Sequence, residues 1–488
     1  MAVQSGEVTQ ALENQLHRHG PLVDALAQRL GLPLHIVFLE EFARSARRFQ
    51  DVARRTGVPT LVAFAVKCNP CRGAVRAASR LGLGADVVSE HELRTALEEG
   101  IDPAHIVCNG NAKSDIYLQR IIDSGAHLAV DGLEELQLVD SMGRSRGVPV
   151  PVLLRVSGLD VAGYTASTQT TAQHWSKFGF SAAELPELLA TLPDWGGVRF
   201  DGFSAHVGTQ LCDPIAYLLL LDAFAALSQR AAALGTPPRL LDLGGGWPVN
   251  FLSEEGWQAL VKRLHRQVTA DSPVAEWVTW DGHPMGASRQ GMATYAGPTP
   301  WTGKAYWAPH PGAAMLDHVL AAPLSSGGTF REALASLGSP MLIAEPGRSL
   351  MATAGVTLAE AMTTKPVMGH SVVALDLGIN NHGTNLLAPD VFPAAVLPPR
   401  PDDAPVEAFL AGRLCFGGDM ITTAKVTLNR LPRRGDRLAI FFTGAYSADH
   451  FASHSCGFPL PAKVAVDREG NWELWRGKGT YDDVFPPL

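Results

Sequence analysis

Eight short apolar segments, separated by stretches of helical character, recur between about residue 58 and residue 350. They are Leu61–Val66, Ala85–Val88, His105–Cys108, Leu128–Val130, Val152–Val156, Gly202–Ala205, Leu240–Leu243 and Met341–Ala344. Helix-like segments lie between them, among them Glu90–Glu99, Glu134–Ser141, Pro214–Leu234 and Glu254–Arg266. A strand–helix unit repeated eight times predicts a parallel (β/α)8 barrel of the TIM type, an α/β fold. Ser89-Glu90-His91-Glu92 has the spacing of a capping box that opens the second helix. Asp131 and Asp213 are expected to cap later helices.

Past residue 366 the texture changes. Val372–Leu375, Arg437–Phe442 and Lys463–Val466 read as strands between Pro, Gly and Asp turns, and residues 387–405 read as a proline-rich loop. The expected organisation is therefore an N-terminal segment, 1–50, packing on a β-domain; a barrel over 51–365; and a C-terminal β-domain, sandwich or barrel, over 366–488. Gly246 and Glu345 are separated by 98 residues, more than one helix and its loops require. The middle of that stretch, about 268–330, carries Trp277, Trp280, Trp301 and Trp307. An insertion of this kind reads as a lid or an interface element.

The chain has 488 residues, more than one ordinary core holds. Hydrophobic content of 46% with 18% charged residues describes a globular protein, and a net charge of −8 gives no electrostatic reason to bind nucleic acid or anionic membrane. The polar start, Met1 to Gly20, has no apolar signal core, and the apolar run near Tyr217–Leu234 is interrupted by Asp222, Gln229 and Arg230. Six cysteines in a chain this long do not make a disulfide scaffold, so a reducing cytoplasm is expected. Cys68 and Cys71 form a C-x-x-C with no second pair or His cluster to complete a metal site, and no metal is expected.

The polar motifs fall just after the strand segments, which in a barrel gathers them at the C-terminal face, where chemistry occurs. Lys67 follows the first strand and precedes the breaker Asn69-Pro70. A lysine there can lower its amine pKa by burial and act as a Schiff-base lysine; a lone one more often snorkels to water. Leu243-Gly244-Gly245-Gly246 can close backbone N–H groups on a phosphate, or simply make a turn. Glu345-Pro346-Gly347-Arg348 sets a carboxylate beside a guanidinium, suited to a ring nitrogen and a phosphate of one cofactor, or to a surface ion pair. His206 can stack on a planar cofactor, with Thr209 beside its phosphate. In the β-domain, Cys415 can deliver a proton and Tyr446 reach a phosphate, although singly they read as packing residues.

Taken together, these motifs resemble the fold-type III pyridoxal-phosphate decarboxylases of the ornithine and diaminopimelate decarboxylase superfamily, in order from about residue 60 to 460. Phe64-Ala65-Val66-Lys67-Cys68-Asn69 looks like Y-A-V-K-A-N. Asp86, Ser89 and Glu92 match D-x-x-S-x-x-E, and Gly110-Asn111-Ala112-Lys113-Ser114 matches G-N-x-K-S. Asp131 with Glu135, then Arg155 and Lys177-Phe178-Gly179, follow in place. His206 to Gln210, the glycine triplet, Glu345 to Arg348, Cys415 with Asp419, and Gly444-Ala445-Tyr446 complete the series. The resemblance implies that Lys67 bonds covalently to pyridoxal 5'-phosphate, with Asp86 beside that bond. It implies that His206 stacks on the ring and Glu345 protonates the ring nitrogen. Thr209, Gly244, Gly245, Gly246, Arg348 and Tyr446 would hold the phosphate. Cys415 and Asp419 would cross from the partner of a head-to-tail homodimer, and Cys415, or else Lys67, would return a proton to the substrate α-carbon.

The chain departs from that pattern where diamino-acid decarboxylases bind a distal amine. Phe416 follows the cysteine where they place an acid, and Leu377 stands at the place of a second acid. Burying an ammonium against these side chains would leave it unpaired. The substrate-binding positions Phe416, Leu377 and Asp419 therefore predict an amino acid with an apolar, aromatic or modified side chain, with the aromatic insertion closing over it. An amino-acid racemase of the same fold is the alternative activity; such enzymes present an arginine to the ring nitrogen, whereas this chain has Glu345 and Cys415. A cofactor-binding protein without catalysis is a further alternative, against which the second domain speaks.

Overall fold

The computed structural model describes residues 7–161, 170–269, 272–283, 285, 305–383, 391–450 and 452–487. Two compact units emerge. One comprises Ser45–Pro248 and His310–Gly347; the other comprises Met1–Arg44, Val249–Pro309 and Arg348–Leu488.

The first unit is an eight-stranded closed parallel barrel. Its strands are Thr60–Ala65 (β1), Gly84–Val87 (β2), Ile106–Cys108 (β3), His127–Val130 (β4), Val150–Ser157 (β5), Val198–Ala205 (β6), Leu240–Asp242 (β7) and Met341–Ala344 (β8). Each pairs in parallel with the next, and β8 closes on β1 through Leu342 opposite Thr60. Leu61, Ala63, Val107, Ala129, Leu153, Leu240 and Ile343 fill a common apolar cluster, the packed core expected of a small barrel. All eight expected strands are present, with ends shifted by a few residues.

Local chemistry sets the crossovers. The Ser89 hydroxyl accepts from the Glu92 N–H at 3.2 Å, while Glu92 reaches back one residue further, to the Val88 N–H at 2.8 Å. Asp213 accepts from the Ile215 N–H at 3.0 Å. Asp131 does not cap: its carboxylate takes Arg155 at 3.1 Å and the Gly179 N–H at 3.1 Å instead. The helix Ile215–Ala233 is long and apolar enough to cross a membrane by length and composition alone. Its Tyr217, Leu220, Leu221 and Phe224 are buried, as in a core helix of a barrel.

The second unit is built on a nine-stranded, mostly antiparallel sheet. Its path runs Val426–Leu428, Val406–Ala411, His370–Leu375, Gly355–Val367, Leu34–Phe38, Ala462–Val466, Trp472–Arg476. Arg437–Phe441 pairs with both Gly355–Val367 and Ala394–Leu397. The strand Leu34–Phe38 lies antiparallel to Gly355–Val367 and parallel to Ala462–Val466, so the N-terminal segment is woven into this unit.

Three differences from the sequence expectation have physical causes. The units divide at Gly347/Arg348 rather than at 365/366, because Gly355–Val367 is a long strand of the β unit whose buried face the polar Thr and Lys residues obscured. The helix Glu254–Thr269 leaves the barrel, since its Trp257, Leu260 and Leu264 join the apolar core of the β unit. The proline-rich stretch 387–405 contains the strand Ala394–Leu397, held by its ladder to Arg437–Phe441; residues 387–390 lie outside the described residues. Only residues 249–309 of the long connection belong to the β unit. Trp280 packs edge-on against Phe409 at 5.4 Å, and Trp307 lies against the β core. These two aromatics therefore serve packing rather than a lid, while Trp301 falls outside the described residues.

Candidate active site

The first strand ends at Ala65, and a single 3-10 turn, Val66–Cys68, lifts Lys67 from the barrel. The Lys67 amine contacts the fully buried Asp86 carboxylate at 2.5 Å. Asp86, from the end of β2, accepts the Asn109 amide at 3.0 Å, and the same amide reaches Glu345 at 2.8 Å. A chain of side-chain hydrogen bonds thus links Lys67, Asp86, Asn109 and Glu345 across the ends of β1, β2, β3 and β8. Burial pushes the Asp86 carboxyl up, but the Lys67 ammonium and the Asn109 amide outweigh it and leave it below the ordinary value. Glu345 moves the other way. Burial, then the charges of Asp242 and Asp86, hold its carboxyl well above the carboxylate range.

His206 follows β6. Its Nδ1 accepts the Gly245 N–H at 3.0 Å, which places the ring proton on Nε2. Burial, then Lys67 and Arg155, lower its pKa to about 3, so the ring is neutral near pH 7. Thr209 lies on the same turn, between Gly208, which bridges to Thr170, and Gln210 at φ +52°.

The glycine triplet needs to be glycine. Gly244 has φ +69° and a Cβ there would meet the Ala205 oxygen at 2.2 Å; Gly246 has φ +94° and would meet the Gly208 oxygen at 2.5 Å. The turn is braced from outside by Tyr217, whose hydroxyl donates to the Gly245 oxygen at 3.0 Å, and by Trp247, whose Nε1 donates to the Gly244 oxygen at 3.1 Å. The two rings stack at 4.5 Å. Lys113, wholly buried, donates to the Gly110 and Ala129 oxygens and to Glu135, each at 2.7 Å, and so pins the third and fourth strand ends.

The structure thus gathers Lys67, Asp86, His206, Gly244, Gly245, Gly246 and Glu345 at the strand ends of one barrel. This set fits pyridoxal phosphate: an amine for the aldehyde, a buried acid for a ring nitrogen, a flat neutral imidazole, and a turn where no side chain occupies the phosphate's approach.

The remaining candidates belong to the β unit. The Arg348 guanidinium lies 4.8 Å from the centre of the Tyr446 ring, and Tyr446 has φ +63°, a conformation costly for a non-glycine residue. Cys415 and Phe416 are exposed on one loop, Phe416 at 58%. Two substrate candidates turn out differently from expectation. Leu377 is wholly buried in the apolar core of the unit, because its position on the chain after His370–Leu375 points inward. Asp419 spends both carboxylate oxygens on backbone, accepting from the Leu414 N–H of its own loop at 2.6 Å and from the Ile379 N–H of the segment after His370–Leu375 at 2.7 Å. It shapes the crest that carries Cys415 and Phe416.

Asn109 and Asp242 were not singled out by the sequence. Asn109 ends β3 directly before Gly110, and Asp242 ends β7 directly before the glycine turn; that strand-end placement was the available signal.

Comparison with known proteins places these features in context. Residues 39–273 match the family described as pyridoxal-dependent decarboxylase, pyridoxal binding domain. The chain is 27% identical over 478 residues to Uncharacterized protein y4yA of Sinorhizobium fredii, covering 95% of this chain and 94% of that one. It is 27% identical over 482 residues to a diaminopimelate decarboxylase of Pseudomonas aeruginosa, covering 96% of each. Among solved structures, a diaminopimelate decarboxylase from M. jannaschii in co-complex with L-lysine aligns with TM-score 0.74 at 22% identity, over 95% of this chain and 93% of that one.

Proposed function

The chain belongs to the pyridoxal-phosphate-dependent decarboxylases of the ornithine and diaminopimelate decarboxylase family, and from that premise we propose that it removes the α-carboxylate of an amino acid whose side chain does not end in a simple amine. The observation that carries the site reading is the continuous hydrogen-bonded chain from the Lys67 amine through Asp86 and Asn109 to the buried Glu345.

Pyridoxal phosphate, when bound, supplies an aldehyde that captures amines and a ring that accepts the electron pair left by a departing carboxylate. The protein's contribution is positional and electrostatic. Lys67 presents its amine at the barrel mouth, with Asp86 holding the ammonium form and fixing its direction. Glu345 holds a proton where the ring nitrogen is to sit. His206, neutral and anchored through Nδ1, offers a flat face without adding positive charge. Gly244 to Gly246 leave space for a phosphate near Thr209, and the resemblance of their motifs to the family's assigns Arg348 and Tyr446 to the same group. Cys415 then gives a proton to the substrate's α-carbon after carbon dioxide leaves, reaching it from the partner in a head-to-tail homodimer.

The specificity reading rests on Phe416. An exposed phenylalanine directly after the cysteine gives a distal ammonium no counter-charge. An apolar, aromatic or modified side chain instead removes the Phe416 ring from water, at roughly 25 cal/mol per Å² of apolar surface covered. Several relatives carry the name diaminopimelate decarboxylase; at 26–27% identity, their substrate need not be this chain's. The deciding assay is carbon dioxide release from a panel of amino acids by the cofactor-loaded enzyme. Strong turnover of apolar or modified substrates is expected. A marked preference for lysine, ornithine or diaminopimelate would refute the specificity reading.

A further inference from the structure

The turn that carries Tyr446 is held in a conformation its own residues disfavour. Phe442 and Tyr446 have φ of +65° and +63°, in the left-handed region that side chains with a Cβ avoid. Such residues persist only where the surroundings fix them. The first half of the turn is fixed by the chain that follows Arg348. The Thr443 N–H donates to the Gly355 oxygen at 3.0 Å, and the Thr357 hydroxyl donates to the Thr443 hydroxyl at 2.9 Å. A Cβ on Gly444 would meet the Met351 oxygen at 2.0 Å.

The second half has a different anchor. Lys463 and Arg476 are direct partners on the paired strands Ala462–Val466 and Trp472–Arg476. Like charges opposite each other in a ladder repel, and Lys463 is only 2% exposed. Asp449, three residues after Tyr446, answers both. Its Oδ2 contacts the Lys463 ammonium, and its Oδ1 accepts from the Arg476 guanidinium at 2.6 Å. Burial pushes the Asp449 carboxyl up, but Lys463 and Arg476 outweigh it and hold it below the ordinary value. The next residue, His450, sets its ring edge-on to the Tyr446 ring at 5.2 Å. The Arg348 guanidinium lies over the same ring at 4.8 Å.

We propose that Asp449 is a positioning residue: clamped by Lys463 and Arg476, it keeps Tyr446 in its left-handed conformation beside Arg348, and so sets how strongly the protein prefers a phosphorylated ligand. The inference rests on the assignment of Arg348 and Tyr446 to the cofactor phosphate and adds to it what keeps the two together. A carboxylate that merely neutralised Lys463 would influence stability. It would leave the choice between phosphorylated and unphosphorylated ligands unchanged.

The test frees the full-length protein of cofactor and titrates it with pyridoxal 5'-phosphate and with pyridoxal, which has the same aldehyde and ring but no phosphate. The wild type should bind the phosphorylated form far more tightly. Asp449→Asn should weaken that form about tenfold or more, the affinity equivalent of one strained residue released, and leave pyridoxal within about twofold. Adding Asp449→Asn to Tyr446→Ala should cost less than about threefold more, since the residue it positions is already gone. If Asp449→Asn does not fold, Asp449→Asn combined with Lys463→Met takes its place, because no buried ammonium is then left unpaired. The same selective loss is expected there, and a wild-type preference in that double variant would overturn the proposal. An unchanged preference in Asp449→Asn, an equal loss for both ligands, or losses that add fully to those of Tyr446→Ala would overturn it as well. Equal affinity of the wild type for the two forms would sink the phosphate assignment itself, and the proposal with it.

Discussion

Lys67 has a buried carboxylate at 2.5 Å and lies on a turn one residue beyond its strand, so its amine is fixed in direction before any ligand arrives. Lys67→Ala is expected to abolish both the visible absorption of the loaded protein and the mass gained after borohydride trapping; retention of either would mean that the covalent attachment is elsewhere. Cys415 is exposed on a loop that Asp419 shapes from within. Cys415→Ala should slow product formation about 100-fold or more, in line with the usual worth of a positioned general acid. Unchanged turnover and unchanged product would remove it from that role. Lys67, His206 and Glu345 were legible because each directly ends an apolar strand run. Asn109 was not, because its role exists only through a bond to Glu345, 236 residues away.

The glycine turn after β7 shows how an element can be set by what crowds it. The backbone oxygens of Ala205 and Gly208 and the rings of Tyr217 and Trp247 crowd it. Gly244→Ala puts a methyl against the Ala205 oxygen and forces an L-residue into a left-handed conformation. The expected result is a stability loss of about 1–3 kcal/mol together with greatly weakened cofactor binding, read by thermal unfolding and by absorbance titration. The strand–helix alternation was readable because each period of burial is local. The allegiance of Glu254–Thr269 was not, since its apolar face fits either unit equally well on periodicity alone.

At the scale of the molecule, several buried imidazoles tie folding to pH. His382 is wholly buried against Phe392 at 4.9 Å, neither ring nitrogen has a hydrogen-bond partner among the described residues, and burial lowers its pKa to about 3. The unfolded chain binds a proton on this residue below pH 6.5 while the folded chain does not until about 3. Its contribution to stability is therefore complete above pH 6.5 and declines as pH falls through that window, by up to roughly 1.4 kcal/mol per pH unit. His382→Leu should flatten the stability profile between pH 6.5 and 3 and cost little at pH 7, as chemical denaturation at several pH values would reveal. The proposed dimer makes a different prediction. Lys67→Ala and Cys415→Ala, each inactive or slow alone, should recover about a quarter of normal activity when refolded together, because one of two interfaces in a mixed dimer then joins two intact halves. No recovery would place Cys415 in the site of its own chain.

By itself the sequence determined the barrel and the residues that end each strand, because apolar period, glycine position and strand-end polarity are properties of neighbours along the chain; the chemical type of the cofactor came from the resemblance of the ordered motifs to a known family. It could not decide where the units divide, which unit claims the helix at 254–269, that Leu377 and Asp419 turn inward, or that Asn109 reaches Glu345 across the barrel. Those outcomes depend on burial and on pairs far apart in the chain, where a carboxyl's charge is set by what the fold places beside it.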